Sequence, residues 1–227
     1  MAFSEELKRF LLAQVVSITD FSVPPPTDLA VDANVLMFST YDRYDQQRFL
    51  RQRVPSDQRI DAYLQYEARC RAAGTRLWVS LVGVFEFLRT VEMAELKILW
   101  AKLDPEAAAG DFTDFQPKTV RRRPRYRDVQ DRVLTYAQQV EKRFRLFGGP
   151  SALPERLAVF SAAWLGSACD PGDASLTADA RANGILNILS DDQDFASLDG
   201  ITLYTANQTV IDTAKGLNRL VTGKARR

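Results

Sequence analysis

Acidic residues occur beside short apolar runs at four places in this chain of 227 residues. The segments are VDANVL with Asp32, VSLVGVFEF with Glu86, DPGDASL with Asp170 and Asp173, and SDDQDF with Asp192 and Asp194. Carboxylates that share one site repel one another and hold their protons more tightly unless a cation offsets their charge. Oxygen-only ligands suit a hard ion such as Mg2+ or Mn2+, and two such ions can activate water and stabilise the leaving oxygen of a phosphodiester.

The chain contains no histidine. This absence excludes Ser-His and Cys-His nucleophilic catalysis, a histidine general base and histidine-bound zinc. Its two cysteines, Cys70 and Cys169, stand far apart and form no CxxC pair, which argues against a zinc knuckle. Any chemistry must therefore use carboxylates, lysines, hydroxyls or a metal held by oxygen.

Each acidic signal also has a simpler interpretation. Asp32 and Asn34 are typical of a strand-to-helix turn with a capping side chain, and Asp173 of a helix N-cap, with Asp170 as a competitor for the site. Glu86 stands among apolar neighbours, which favours a semi-buried position that costs free energy unless the acid is paired or metal-bound. SDDQDF lacks the glycine and glutamate of a calcium-binding loop but is compatible with a plain acidic turn.

Short apolar runs predict the strands that would position these acids: LAV before Asp32, RLWVS, ILNILS and ITLY. Helical patterns separate them, and this alternation predicts a mainly parallel sheet with helices on both faces. In such sheets functional groups gather at the carboxyl ends of the strands. Those ends carry Asp32, then Ser80 followed by Glu86, then the acids at 191, 192 and 194, so we expect one site there.

The remaining pattern predicts an N-terminal helix over residues 3–16 and a proline-rich linker, SVPPPTD, together residues 1–27. Helix and loop are expected over 41–57, and helices from Ser56 to a C-cap at Gly74, over 81–103, 128–146, 153–167, 170–184 and 209–220. Residues 104–128 interrupt the alternation and are expected to form a loop. We interpret the whole chain as one domain, with a helical and basic insertion at 101–158.

Basic residues are dense in KTVRRRPRYR, although the formal net charge of the chain is only +1. Basic side chains beside an aromatic ring suit a phosphate backbone and base stacking, and a solvated loop or a contact to an acidic protein surface is the alternative. The candidate nucleic-acid-binding residues are Lys118, Arg121, Arg122, Arg123, Arg125 and Arg127.

Taken in order, these motifs resemble the PIN-domain family of metal-dependent nucleases. DANVL is similar to the family's opening D-x-N motif, and VSLVGVFEFL to its strand-end serine followed by a helical glutamate. DASLTADARANGILNILSDDQDF is similar to its final block, in which an aspartate opens a helix and a strand then leads to [ST]-x-D-x-D-F. The resemblance covers residues 28–100 and 160–210, and compact relatives include the VapC-type toxins.

The resemblance implies a three-layer α/β/α fold and a ribonuclease that uses Mg2+ or Mn2+. It assigns catalytic, metal-binding roles to Asp32, Glu86, Asp173 and Asp192, and auxiliary roles to Asn34, Ser190 and Asp194. Ser190 would hydrogen-bond a metal-bound water or phosphate, and Asn34 would orient other groups. RNA or single-stranded DNA as substrate, an antitoxin partner and a homodimer are further expectations.

Two other functions stay open from the sequence. One is a catalytically silent nucleic-acid-binding or scaffold protein that keeps the same fold. The other is a phosphatase or phosphotransferase acting on small molecules. This is the minor interpretation, because Asn34 stands where a D-x-D motif would have its second acid. The N-terminus does not resemble a signal peptide, and no apolar run reaches the length of a membrane span, so we expect a cytoplasmic protein.

Overall fold

A parallel sheet forms the centre of the computed structural model, which describes residues 7–42, 57–104, 114–147, 153–165 and 167–223. The sheet has seven strands in the order β4-β3-β2-β5-β6-β1-β7. Their bounds are β1 Gln14–Ser17, β2 Asp28–Val31, β3 Arg76–Val79, β4 Arg145–Leu146, β5 Asn187–Leu189, β6 Thr202–Thr205 and β7 Leu220–Val221. No helix in these ranges has the length and apolar character needed to cross a bilayer.

Helices cover both faces of this sheet, which makes the fold a three-layer α/β/α arrangement. Their bounds are α1 Ala33–Thr40, α2 Asp57–Ala72, α3 Leu81–Leu103, α4 Pro117–Arg121, α5 Tyr126–Arg143, α6 Leu153–Leu165, α7 Pro171–Ala182 and α8 Gln208–Gly216. Helices α6, α7 and α8 contribute to the hydrophobic core on one face, and α1, α2, α3 and α5 to the core on the other.

Alternation along the strands explains why both faces are covered. On β2, Ala30 belongs to the core beneath α7, whereas its neighbours Leu29 and Val31 belong to the core beneath α1 and α3. On β5, Ile188 and Leu189 divide between the two cores in the same way. Successive side chains of a strand point to opposite faces, so an apolar run without polar alternation requires two helical layers.

Strand β2 lies between β3 and β5 and pairs in parallel with both. The chain leaves β2 toward β3 and β4 on one side and later reaches β5 and β6 on the other. The carboxyl ends of β2, β3 and β5 therefore surround the point where the strand order reverses. Such a switch point opens a crevice between the helices of the two faces, and ligands bind there in open α/β sheets.

The predicted fold class is confirmed: the sheet is parallel and lies between two helical layers. The apolar runs predicted as strands before Asp32 and around residues 76–80, 185–190 and 201–204 are the strands β2, β3, β5 and β6. Gly74 and Gly184 have φ angles of +77° and +70°, the left-handed conformation that ends α2 and α7 and sends the chain into β3 and β5.

The N-terminal segment differs from its prediction. Residues 7–10 are helical, but Gln14–Ser17, predicted as the end of the same helix, forms β1 between β6 and β7. Val15 and Val16 divide between the two cores, as neighbours on an inner strand do. The apolar spacing of so short a segment fits both a helix and a strand, and pairing with β6 stabilises the strand.

The segment predicted as a loop over residues 104–128 contains helix α4 and the first residues of α5. Val120 is buried against Leu96 and Leu99 of α3, which gives α4 an apolar anchor despite its basic composition. Helices α5 and α6 correspond to those predicted at 128–146 and 153–167. The predictions for residues 43–56 lie outside the described residues, and the division into one domain with an insertion at 101–158 stays a prediction.

Candidate active site

Asp32 directly follows β2 and is buried, with 5% of its surface exposed. It occupies the N-cap position of α1, yet its side chain makes no capping hydrogen bond, so the capping interpretation of this residue was wrong. Its Oδ2 atom instead accepts a hydrogen bond of 2.8 Å from the hydroxyl of Ser190, at the end of β5. Asn34 lies on the first turn of α1 and is exposed.

Ser190 connects Asp32 to the acidic loop that follows β5. Its Oγ is fully buried and also accepts a hydrogen bond of 2.9 Å from the backbone N–H of Asp192. The carboxylate of Asp192 then accepts the N–H of Asp194 at 2.9 Å, which starts a short 3-10 turn over Gln193–Ser197. Phe195, fully buried in this turn, holds it against the core. The sequence S-D-D-Q-D-F thus folds into a chain of side-chain-to-backbone contacts that fixes two acids.

Asp191, which lies between Ser190 and Asp192 in the sequence, has a different role. Arg59 of α2 binds its carboxylate through Nε and NH2, both at 2.6 Å. The hydroxyl of Tyr63 contacts Asp191 Oδ1 at 3.0 Å and also the backbone oxygen of Ser190 at 3.0 Å. Asp191 is therefore engaged by α2, and these contacts anchor the loop that carries Asp192.

Helix α7 contributes two acids through its first turn. Asp170 is the N-cap: its Oδ1 accepts the backbone N–H of Asp173 at 2.9 Å, and Asp173 Oδ2 accepts the N–H of Asp170 at 3.4 Å. This capping box stabilises the start of the helix. The N-cap role that sequence reasoning offered for Asp173 belongs to Asp170, and Asp173 is one turn inside the helix.

Glu86 comes from α3, whose start is capped by Ser80 through a 2.9 Å hydrogen bond from the N–H of Gly83. The predicted semi-buried position was wrong: Glu86 is exposed, because Phe87 occupies the core-facing position of this helical turn. The carboxylate of Glu86 reaches α7. A Cβ atom built on Gly172 would lie 3.1 Å from both Glu86 Oε2 and Asp170 Oδ1, so the two acids converge over this glycine.

Three of the acids approach closely enough to share one ion. Asp173, Asp192 and Asp194 each offer a carboxylate oxygen, and these oxygens lie within 4.8 Å of one another. All three side chains are partly buried. Asp194, predicted as auxiliary, thus belongs to the same group as Asp173 and Asp192.

The pKa values of two carboxyls rise strongly. Burial raises the pKa of Asp32 to about 7, the charges of Glu86 and Asp192 add to the effect, and the Ser190 hydrogen bond and the Ala33 N–H oppose it. Burial raises the pKa of Asp173 to about 8, with further contributions from Asp32, Asp170 and Asp192. Each acid is therefore disfavoured in its charged form partly by the presence of the others.

The outer acids show the same trend. Partial desolvation raises the pKa of Glu86 although much of its surface is exposed, and Asp170 and Asp192 raise it further, while Arg89 lowers it. Burial, Asp192 and Asp170 also raise the pKa of Asp194. Within the described part of the chain, no lysine or arginine is among the main influences on Asp32, Asp173 or Asp194. A cluster of oxygen donors without a basic neighbour among these influences fits a bound cation.

The basic segment lies on α4 and the start of α5, and much of its charge is internally paired. Glu92 of α3 binds Arg121 through two hydrogen bonds of 2.9 and 2.7 Å, and Tyr126 donates to the same carboxylate at 2.7 Å. Arg125 and Arg127 form ion pairs with Asp128 and Asp131 at 3.3 and 3.2 Å. The three remaining members, exposed and without a carboxylate partner in the described ranges, are Lys118, Arg122 and Arg123.

Sequence reasoning did not identify three residues that shape this site. Gly172 permits the approach of Glu86 to Asp170, Tyr63 anchors the loop of Asp192, and Arg89 is the basic neighbour of Glu86. Asp170 was considered only as a competitor of Asp173. A proline and glycine directly after an aspartate are the sequence signal that places Asp170 at the helix start.

Fold and site together define an α/β protein with a carboxylate cluster at the switch point of a parallel sheet. No protein-family model matches the chain, and no curated protein matches it. Among solved structures, FitAcB from Neisseria gonorrhoeae is similar at 12% sequence identity and a TM-score of 0.37, over 78% of this chain and 97% of that chain. This likeness is too loose to support a conclusion about activity.

Proposed function

We propose that this protein is a metal-dependent endoribonuclease of the PIN type. Asp32, Glu86, Asp173 and Asp192 would hold one or two Mg2+ or Mn2+ ions, with Asp194 beside them. The observation that carries the proposal is the convergence of Asp173, Asp192 and Asp194 within 4.8 Å at the switch point of the sheet. Burying so many acids together costs free energy unless a bound cation offsets their charge.

When bound, such a cation stabilises the charge that develops on a phosphodiester and lowers the pKa of an attacking water. Other residues of the chain would hold these acids in position. Ser190 holds Asp32 and the backbone of Asp192 in one orientation, and the capping box holds Asp173. The proposed reaction is direct attack of water on the phosphorus, with no covalent enzyme intermediate.

Single-stranded or structured RNA is the proposed substrate, on the strength of the motif resemblance. Lys118, Arg122 and Arg123 would contact its phosphates, because their charges have no carboxylate partner in the described ranges. Arg125 and Arg127 lie on the same surface within exchangeable, exposed ion pairs, which contribute little to stability. Arg121 would act indirectly, since its pairing with Glu92 fixes α4 against α3.

The resemblance to VapC-type proteins extends the proposal to a toxin neutralised by an antitoxin, with a homodimer as its assembly. Leu81, Val82 and Phe85 are exposed on α3, within about one and a half helical turns of Glu86. An apolar surface beside the acids would allow a protein partner to block access to the cluster. Co-expression with the product of the adjacent gene, followed by a cleavage assay of the purified complex, tests this part of the proposal.

Cleavage of labelled single-stranded RNA and of the same sequence as DNA tests the activity. Wild type, Asp32→Asn and Asp199→Asn would be assayed with Mn2+, with Mg2+ and with EDTA. Asp199→Asn is the matched control, because it removes the same charge from an exposed turn before β6. We expect metal-dependent cleavage by wild type and the control and a loss of at least about 100-fold in Asp32→Asn. A fully active, correctly folded Asp32→Asn protein would exclude the proposed site.

A nucleic-acid-binding protein without catalysis is the second candidate, favoured by Lys118, Arg122 and Arg123, whose charges meet no carboxylate among the described residues. It predicts that RNA binding in EDTA persists in Asp32→Asn and falls when Arg122 and Arg123 become Ala. If folded wild type binds several RNAs and cleaves none of them with either metal, this second function replaces the first.

A further inference from the structure

A cavity of about 280 Å³ opens at the amino ends of β3 and β4, where Arg71, Arg76, Arg143 and Arg145 line it. Arg76 begins β3 and pairs in register with Asp28, the first residue of β2, whereas Asp32 follows the last. At about 3.3 Å per strand residue, the arginines and the acidic cluster lie roughly 13 Å apart along β2. The two sites are therefore at opposite ends of the strands.

Two of these guanidinium groups are held by a buried acid. Glu67, with 4% of its surface exposed, accepts hydrogen bonds at Oε1 from Arg71 at 3.0 and 2.8 Å and from Arg143 at 2.6 Å. Arg71 and Arg143 also lie over the ring of Phe144, at 5.5 and 5.4 Å from its centre. These contacts fix both groups before any ligand arrives, which lowers the entropy cost of binding.

The other two arginines stand along the strand side of the cavity. Arg76 forms an ion pair with Asp28. Arg145 lies over the ring of Trp78 at 5.7 Å and has no hydrogen-bonded carboxylate within the described ranges. Arg145 thus presents its charge on an aromatic support and keeps its donors available.

Among the described residues, charge in this cavity is unbalanced, with four guanidinium groups facing the two carboxylates of Glu67 and Asp28. Convergent like charges repel, and an anion relieves that repulsion. Arginine donors in a planar fork match the oxygens of a phosphate group, and Gly74, with open space in place of a Cβ, leaves room at the rim. We propose that this four-arginine cavity is a binding site for a phosphate group.

The phosphate has two sources with the same chemistry. One is free inorganic phosphate. The other is the backbone of a nucleic acid, an assignment that rests on the proposed function. Either source would contact Arg145 and Arg76, whose donors are the least committed to buried partners.

Isothermal titration with inorganic phosphate at constant ionic strength tests the site in the full-length protein. We expect saturable binding by wild type and a loss of about tenfold or more in Arg145→Gln, since a charge-assisted hydrogen bond disappears. Lys215→Gln on α8, by the opposite edge of the sheet, removes the same charge and should bind as wild type. If Arg145→Gln unfolds, Arg76→Gln takes its place. Absence of saturable binding, or equal loss in the control, overturns the proposal.

Fluorescence anisotropy of labelled single-stranded RNA in EDTA distinguishes the sources without requiring cleavage. Weaker RNA binding by Arg145→Gln, with displacement by phosphate, identifies the backbone as the ligand. Unchanged RNA binding together with lost phosphate binding identifies free phosphate. Displacement of phosphate by polyglutamate of matched charge as readily as by RNA indicates general attraction and overturns the phosphate site. An active Asp32→Asn protein would exclude the proposed catalytic site, and a folded wild type that cleaves no RNA would end the nuclease proposal. Either result leaves these binding results intact.

Discussion

The hydroxyl of Ser190 donates a hydrogen bond of 2.8 Å to Oδ2 of Asp32, joining the carboxyl ends of two neighbouring strands. The hydroxyl oxygen of Ser190 also accepts a hydrogen bond from the N–H of Asp192, so one buried hydroxyl orients two acids that follow different strands. A donor to a carboxylate favours its charged form, which a metal ligand requires. The pairing of β2 with β5 therefore fixes how Asp32 and Asp192 lie relative to each other.

Replacing Ser190 by Ala should weaken metal binding. The change removes the donor to Asp32 and leaves the N–H of Asp192 without its acceptor, so the pKa of Asp32 rises further. We expect Mn2+ affinity to fall by roughly 10- to 100-fold, the usual effect of losing a group that orients a ligand. Thr213→Ala, which removes a buried hydroxyl on α8, is the control and should bind Mn2+ as wild type. Calorimetry at pH 7 measures both, and equal affinities in the two variants would contradict this role of Ser190.

The stability of the metal-free protein should fall as pH rises from about 4 to about 8. Asp32 and Asp173 have pKa values of about 7 and about 8 in the folded chain, against an ordinary value of 3.8. Between these limits the folded state keeps protons that the unfolded state has lost, so the free energy of unfolding decreases with pH. The stability that each carboxyl contributes is fully present below its ordinary pKa of 3.8 and is lost above its pKa in the folded chain.

Thermal unfolding in EDTA at a series of pH values measures this dependence. Asp32→Asn and Asp173→Asn should flatten it and should raise the melting temperature near pH 8, because each removes a buried charge without changing the side-chain shape. Mn2+ should restore the stability of wild type at pH 8 and have a smaller effect on either variant. A wild-type melting temperature that rises with pH over this interval would contradict the assignment of the raised pKa values.

Gly172→Ala should disturb the contact between α3 and α7. The new methyl group would lie 3.1 Å from oxygens of both Glu86 and Asp170, closer than a relaxed contact. Because both neighbours are ends of flexible side chains, we expect the fold to persist with a loss of about 1 kcal/mol or less. Metal-dependent cleavage should fall several-fold as Glu86 moves away.

Gly216→Ala, at the end of α8 where a Cβ would meet nothing within 4 Å, is the matched control. It should leave both stability and cleavage near the wild-type values. Parallel denaturant unfolding and cleavage assays separate the two effects of Gly172→Ala. Unchanged cleavage in that variant would show that the position of Glu86 is not critical.

Sequence pattern was sufficient to predict the layers and the edge of the sheet at which the acids meet. Alternation of apolar strands with helices predicts a parallel sheet between two helical layers, and the acids follow the ends of β2 and β5 directly. The assignment of Asp170 as cap and Asp173 as inner acid depends on the residue at which α7 begins, which periodicity leaves uncertain by a few positions. Strands β4 and β7 have two residues each, too few for any alternation to be visible.

The motif resemblance selects Asp192 and not Asp191, but the physical reason for their different orientations was beyond sequence pattern. Asp191 and Asp192 are adjacent and chemically identical, so composition cannot tell which one faces the cluster. The distinction is made by Arg59 and Tyr63 on α2, contacts between residues distant in the chain. Gly172 likewise acquires its role from the approach of Glu86, on another helix.

Tyr63→Phe tests whether those distant contacts position the site. The hydroxyl of Tyr63 lies 3.0 Å from the backbone oxygen of Ser190, 3.0 Å from Asp191 and 3.2 Å from Thr205, and it accepts the N–H of Ala206 at 3.0 Å. Phenylalanine fills the same volume but removes all four contacts and leaves the N–H of Ala206 without its acceptor, which should cost about 1 to 3 kcal/mol. Because the loop of Ser190 and Asp192 loses its anchor, Mn2+ affinity should fall as well.

Tyr41→Phe, the control, removes a different buried hydroxyl, bound to Glu95 at 3.0 Å, and should lower stability while leaving Mn2+ affinity unchanged. Equal Mn2+ affinity in wild type and Tyr63→Phe would limit Tyr63 to a structural role.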